Sequence, residues 1–179
     1  ALRKTNGGTA VDVETMIVDG TLAFAFVIAG QGPKAFGMPE MFTPGQNLRH
    51  HGILERTSIL MTDGRYSGVS KGACVGHVTP EAFEGGGIGA LADGDLLWVQ
   101  LDGHRIDLLD RDAFLGGEMV IVDAAPAEAR NELVQARRER MEHRRLQVAA
   151  CSLLDHVTDA EHGIVPDAVD SRAVLQLPG

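Results

Sequence analysis

Glycine and proline set the limits on what this chain can fold into. Of its 179 residues, 22 are Gly and 7 are Pro. Gly30, Gly32, Pro33, Gly37, Pro39, Pro44 and Gly45 fall in one stretch. Proline removes a backbone donor and glycine weakens regular structure, so no helix or central strand is expected there before Gly45. A long ordered loop is expected instead, and such loops often carry function. Residues 126–150 are the opposite case. They contain no glycine and are rich in Ala, Glu, Arg and Leu, which predicts one long helix.

Between these landmarks the apolar runs are short. Residues 11–18 and 21–28 flank Asp19-Gly20, a turn pair, and read as two strands of a hairpin. Residues 46–52 suit one or two helical turns. Residues 57–62 read as a buried strand ended by Asp63-Gly64, followed by a Gly/Ser loop over 65–72 and a strand over 73–78. Thr79 and Pro80 read as the N-cap and first position of a short helix that Gly85, Gly86 and Gly87 break. Residues 96–101 and 105–109 form a hairpin around Asp102-Gly103. Short strands are expected at 119–122 and 173–177. This order predicts a mixed α/β fold: a compact mixed sheet or β-barrel-like sheet of short strands, with flanking helices and one long helix late in the chain. Residues 1–179 are expected to be a single domain, with its core in 11–123 and a helical and irregular tail in 124–179. The chain opens without Met, as a piece of a longer protein would.

Composition narrows the functional classes. Aromatics make up only 4%, so the core is expected to rest on Val, Ile, Leu, Ala and Met. A net charge of −9 argues against nucleic acid, which needs a basic surface. No apolar run reaches membrane-spanning length, and the polar, Gly-rich residues 1–8 do not resemble a signal peptide. The two cysteines, Cys74 and Cys151, form no CxxC pair. They fit a reducing cytoplasm and are too few for a cysteine-only iron–sulfur or zinc site in one copy of this chain.

Three loops hold the candidate chemistry. Glu40 sits on a Gly/Pro loop, where a carboxylate is either a solvated residue or a ligand for a hard metal. Ser67 lies in the loop that follows strand 57–62, where Gly64, Gly68 and Gly72 free backbone N–H groups to face an anion. The same residues equally describe a plain turn, and the spacing matches neither a nucleophile elbow nor a phosphate-binding loop. His77, flanked by Val75 and Val78, reads as structural before it reads as a ligand or base. His50 and His51 are adjacent and make a poor metal pair, and Asp63, Asp93 and Asp95 read as turn residues. Arg130, Arg137, Arg138, Arg140, Arg144 and Arg145 interleave with Glu128, Glu132, Glu139 and Glu142. That pattern describes a solvated helix face with i,i+4 pairs, or else a contact surface.

Taken together, the runs GPKAFGMPEMFTP, ILMTDGRYSGVSKGACVGHVTPEAFEGGGIG and LADGDLLWVQLDGHRIDLL resemble the C-terminal domain of the dihydroxy-acid and phosphogluconate dehydratase family. GVSKGACVGHVTPEA is closer to its sugar-acid branch. The resemblance implies removal of water from a 2,3-dihydroxy acid to give a 2-keto-3-deoxy acid, with Mg²⁺ and an iron–sulfur cluster in the full-length enzyme. It implies Ser67 as the base, Glu40 as a Mg²⁺ ligand, and Gly68 and Val69 against the substrate. The cluster cysteines and other Mg²⁺ ligands of the family lie in a larger N-terminal domain. This chain is therefore expected to bind no cluster and to be inactive alone, its partners being that domain, a small hydroxy acid and further copies of itself. The alternative is a non-catalytic binding or oligomerisation module of the same fold.

Overall fold

The computed structural model describes residues 3–6, 9–122 and 128–147. A parallel sheet carries the centre of the molecule. Its strands are β3 (Phe24–Ile28), β4 (Ser58–Thr62) and β5 (Ala73–Val75), in the order β3-β4-β5. The central strand β4 buries Leu60 and Met61 and runs into the buried pair Thr62 and Asp63. A second sheet is an antiparallel meander of β6 (Leu96–Gln100), β7 (Arg105–Leu109) and β8 (Ile121–Val122). Among the described residues the first strands, β1 (Arg3–Asn6) and β2 (Thr9–Asp12), pair only with each other.

The hairpin expected over residues 11–28 does not form. Val13–Val18 is helix α1, closed by Asp19 N–H on the Thr15 carbonyl (2.9 Å) and Leu22 N–H on that of Met16 (2.8 Å). The Asp19-Gly20 turn is real, but the strand after it pairs with β4 in parallel register, Phe24 opposite Ser58 through Ile28 opposite Thr62. With no strand partner, residues 13–18 satisfy their backbone groups locally, as a helical turn does. The expected long loop also contains helix. Helix α2 (Pro33–Phe36) has Pro33 at its start and Gly37, in the left-handed region at φ 71°, at its end. Helix α3 (Phe42–Arg49) accommodates Pro44 because it is the third helical residue, whose N–H has no partner inside the helix in any case. The short α4 (Leu54–Thr57) then leads into β4.

Thr79 caps nothing. The Thr79–Pro80 bond is cis, and the 3₁₀ turn begins at Ala82, with Glu81 at the N-cap. A second 3₁₀ turn spans Gly87–Ala90, and α5 (Arg111–Leu115) is capped by the Asp110 carboxylate on Ala113 N–H at 2.8 Å. The fold is mixed α/β as expected, but among the described residues the sheets share no strand and close no barrel. β3 and β6 remain sheet edges, and a cleft of about 1130 Å³ lined by Phe24, Val27, Leu96, Trp98, Phe114 and Met141 opens beside them. The strand expected at 173–177 and Cys151 lie outside the described residues.

The long helix forms as α6 (Glu128–Gln147), but not with a purely solvated arginine face. Arg130, Arg137 and Arg144, spaced by seven, return to one side of a helix every two turns. Arg130 grips Asp95 with two bonds of 2.7 Å, and Arg137 donates to the carbonyls of Gly89 (2.9 Å) and Leu91. Arg144 donates to the Gly30 carbonyl and stacks over the Phe36 ring at 4.0 Å. The i,i+4 pairing expected of the outer face is present at Arg138–Glu142 (3.2 Å).

Candidate active site

Two buried carboxylates organise the loops. Asp63 directly follows β4 and is 1% exposed. Its Oδ2 accepts from the N–H of Gly30 (2.9 Å) and of Ala82 (3.0 Å), and its Oδ1 from that of Gln31 (2.8 Å). Glu81, also 1% exposed, accepts from the N–H of Lys34 (2.7 Å) and Ala35 (3.0 Å) at the start of α2. Burial pushes the Glu81 carboxyl above its ordinary pKa. The two backbone donors oppose that shift, and the neighbouring Asp63 and Glu84 charges reinforce it. The Lys34 ammonium meets Glu84 at 2.6 Å, closing the same corner.

From this anchored base the chain turns outward to Glu40. Arg65 Nε donates to the Met38 carbonyl (2.7 Å), and Met41 N–H donates to the Arg65 carbonyl (2.8 Å). Glu40 and Arg65 thereby form a parallel β-bridge. The other flank is tied by His77 N–H on the Gly64 carbonyl (2.9 Å) and Val78 N–H on that of Thr62 (3.1 Å). Tyr66 donates its hydroxyl to the Leu60 carbonyl at 2.8 Å, and burial raises its pKa.

The loop holding Ser67 thus lies beside the loop holding Glu40. Ser67 is half-buried. Among the described residues its Oγ accepts only a long bond from Val69 N–H (3.4 Å), and its carbonyl accepts from Ser70 N–H (3.0 Å). Gly68 is exposed, with nothing within 4 Å of where a Cβ would stand, and Val69 is 60% exposed. The Ser70 hydroxyl is buried without a partner among the described residues. Glu40 is exposed, and its carboxylate makes no hydrogen bond or ion pair among the described residues. It is therefore open to a cation, and one carboxylate completed by substrate and water oxygens suits Mg²⁺. The described residues hold no group of three or more His, Cys, Asp or Glu placed for a metal. Cys74 is the one cysteine among the described residues, a free thiol, whereas an iron–sulfur cluster normally takes several thiolates, so these residues do not fit one.

The other candidates separate from this site. His77 serves through its backbone at φ 56° with an exposed ring, and His50 Nδ1 bonds the Gln46 carbonyl (2.7 Å) at the end of α3. Asp95 is more than a turn residue, since it also holds Arg130. Asp63 and Glu81 are the residues that sequence reasoning missed. Their partners are up to 47 positions away in the chain, so no local pattern reveals them. The arginine contacts did leave a signal, in the seven-residue spacing.

The described residues form a small mixed α/β fold that presents two loops pinned by buried carboxylates. The chain belongs to the dihydroxy-acid/6-phosphogluconate dehydratase C-terminal family, whose model matches residues 9–164. It is 44% identical over 101 residues to the dihydroxy-acid dehydratase of Carboxydothermus hydrogenoformans, covering 55% of this chain and 18% of that protein. It is 44% identical over 99 residues to the chloroplastic dihydroxy-acid dehydratase of Arabidopsis thaliana (55% and 16%). It is 48% identical over 87 residues to the mitochondrial one of Saccharomyces cerevisiae (48% and 15%). The aligned part is thus less than a fifth of each of these relatives. No helix among the described residues is long and apolar enough to cross a membrane.

Proposed function

We propose that this chain is the C-terminal domain of a larger hydro-lyase. In this reading its paired loops supply the base and one metal-ligating carboxylate for dehydrating a 2,3-dihydroxy acid to a 2-keto-3-deoxy acid. The observation that carries it is the Glu40–Arg65 bridge, which sets an unpaired carboxylate beside the loop of an under-bonded serine. Ser67 Oγ takes the proton from C2 of the substrate as the C3–O bond breaks. The proton gained by Ser67 passes to the departing hydroxyl, which leaves as water, and the enol tautomerises to the keto acid. A serine hydroxyl is a poor base until its alkoxide is stabilised. Glu40, with ligands from outside the described residues, would hold Mg²⁺, which would supply that stabilisation. The open space at Gly68 lets substrate approach the backbone, and Val69 offers it an apolar contact.

The relatives are named for dihydroxy acids, and the substrate proposed here is of that class, whether branched-chain or aldonic. The full enzyme is proposed to carry its iron–sulfur ligands in the N-terminal domain, to assemble from several copies and to work in the cytoplasm. The fragment alone is inactive in this reading.

The test is keto-acid formation by the full-length protein on a panel of branched dihydroxy acids and aldonic acids. Ser67→Ala is expected to lower kcat by at least about 10²- to 10⁴-fold, the range for loss of a general base, without changing the unfolding midpoint. Glu40→Gln is expected to raise the Mg²⁺ concentration needed for half-activity. No product from any acid in the panel, or a Ser67→Ala enzyme with wild-type turnover, overturns the reading.

A further inference from the structure

Glu40 and Ser67 sit on separate loops, and neither loop is a rigid element. Something must hold one against the other, because a displacement of about 1 Å at a reacting centre can cost on the order of 10²-fold in rate. The Arg65 contacts to Met38 and Met41 join the two loops close to Glu40. The buried groups behind the loops fix their roots. Asp63 leads directly into the Ser67 loop, and its carboxylate binds the N–H groups of Gly30 and Gln31, at the root of the Glu40 loop. It binds Ala82 N–H as well, joining a third segment. Glu81 takes the next two donors of the Glu40 loop, from Lys34 and Ala35.

We propose that Asp63 and Glu81 are positioning residues of this site, two buried carboxylates that fix where Glu40 stands relative to Ser67 by gathering backbone N–H groups from both sides of it. This rests on the functional reading above for its chemistry, though not for its geometry. An ionised carboxylate is suited to the task because both oxygens accept and neither donates. An amide in its place keeps one accepting oxygen and turns an NH₂ group against a backbone donor. In Asp63→Asn, the lone Gln31 contact at Oδ1 is the one to give way, because Oδ2 serves two partners. Gln31 lies at the entry to the Glu40 loop, so the loss is transmitted to Glu40 rather than to the sheet. Glu81→Gln likewise surrenders either Lys34 or Ala35.

The experiment uses the full-length protein with Asp63→Asn, Glu81→Gln and Leu109→Ala. Leu109 is buried in β7, in the other sheet, and reports general loss of stability. Each variant is measured for unfolding midpoint, kcat, Mg²⁺ concentration for half-activation, Mg²⁺ binding by calorimetry, and amide hydrogen exchange over residues 30–41. Asp63→Asn and Glu81→Gln are expected to lower kcat about 10- to 100-fold and weaken Mg²⁺ binding. Exchange in residues 30–35 is expected to rise, with substrate KM moving less than kcat. Leu109→Ala is expected to lose stability with none of these changes. Asp63→Asn and Glu81→Gln enzymes that behave like Leu109→Ala overturn the proposal. Should both amide variants fail to fold, wild-type exchange decides it. Unprotected N–H groups at Gly30, Gln31, Lys34 and Ala35 sink the idea, and protected ones support it. If the wild-type protein dehydrates no acid, the functional reading falls, while Mg²⁺ binding and exchange still judge the positioning role.

Discussion

At the scale of single residues, Gly32 shows how close the packing behind the site is. A Cβ there would stand 2.2 Å from Glu81 Oε2 and 2.5 Å from Glu81 Cβ. Glu81 cannot withdraw without releasing Lys34 and Ala35. Gly32→Ala is therefore expected to cost about 1–3 kcal/mol, as overpacking does. It would appear as a lower urea midpoint at unchanged slope. Gly68 is the contrasting case, with open space where its Cβ would go. Gly68→Ala is expected to leave stability within about 0.5 kcal/mol and to raise KM if substrate lies against that backbone. A Gly68→Ala protein that unfolds as early as Gly32→Ala would mean that Gly68 is as closely packed as Gly32.

At the scale of elements, α6 is fastened by arginines on its inward face. Arg137 bonds two carbonyls in and beside the Gly87–Ala90 turn, whereas Arg140 is exposed and makes no hydrogen bond or ion pair among the described residues. Arg137→Ala leaves the Gly89 and Leu91 carbonyls short of a charged donor, and is expected to cost about 1.5–3 kcal/mol. Arg140→Ala is expected to stay within about 0.5 kcal/mol. Equal losses in thermal unfolding would show the helix to be held by something other than these contacts. The long helix, strand β4, the β6–β7 hairpin and the Glu40 and Ser67 loops were all legible in the sequence, because each rests on local pattern: composition, apolar runs and glycine placement. What escaped depends on partners distant in the chain. Residues 13–18 read as a strand until β3 is seen to pair with β4. Pro44 reads as a helix breaker until its place in the first turn is known. Asp63 reads as a turn residue until its carboxylate is found among the amides of Gly30, Gln31 and Ala82.

At the scale of the whole molecule, Glu81 ties folding stability to pH. Burial raises its pKa above the ordinary 4.5, and the Asp63 and Glu84 charges act the same way, against the pull of the Lys34 and Ala35 donors. The folded chain therefore keeps this proton at pH values where the unfolded chain has lost it. The stability due to Glu81 is complete below about 4.5 and declines as pH rises through the raised, folded-state value. Glu81→Gln cannot titrate, so the stability difference between wild type and this variant isolates the effect. Asp19, whose pKa is lowered by its bond to Thr21, contributes in the opposite sense but equally to both proteins, and it cancels. Urea unfolding of both proteins from about pH 4 to about pH 7 is expected to show the wild-type advantage shrinking as pH rises. A wild-type advantage that grows with pH would mean that the two backbone donors outweigh burial. Glu81 would then hold the Glu40 loop most firmly as a full anion.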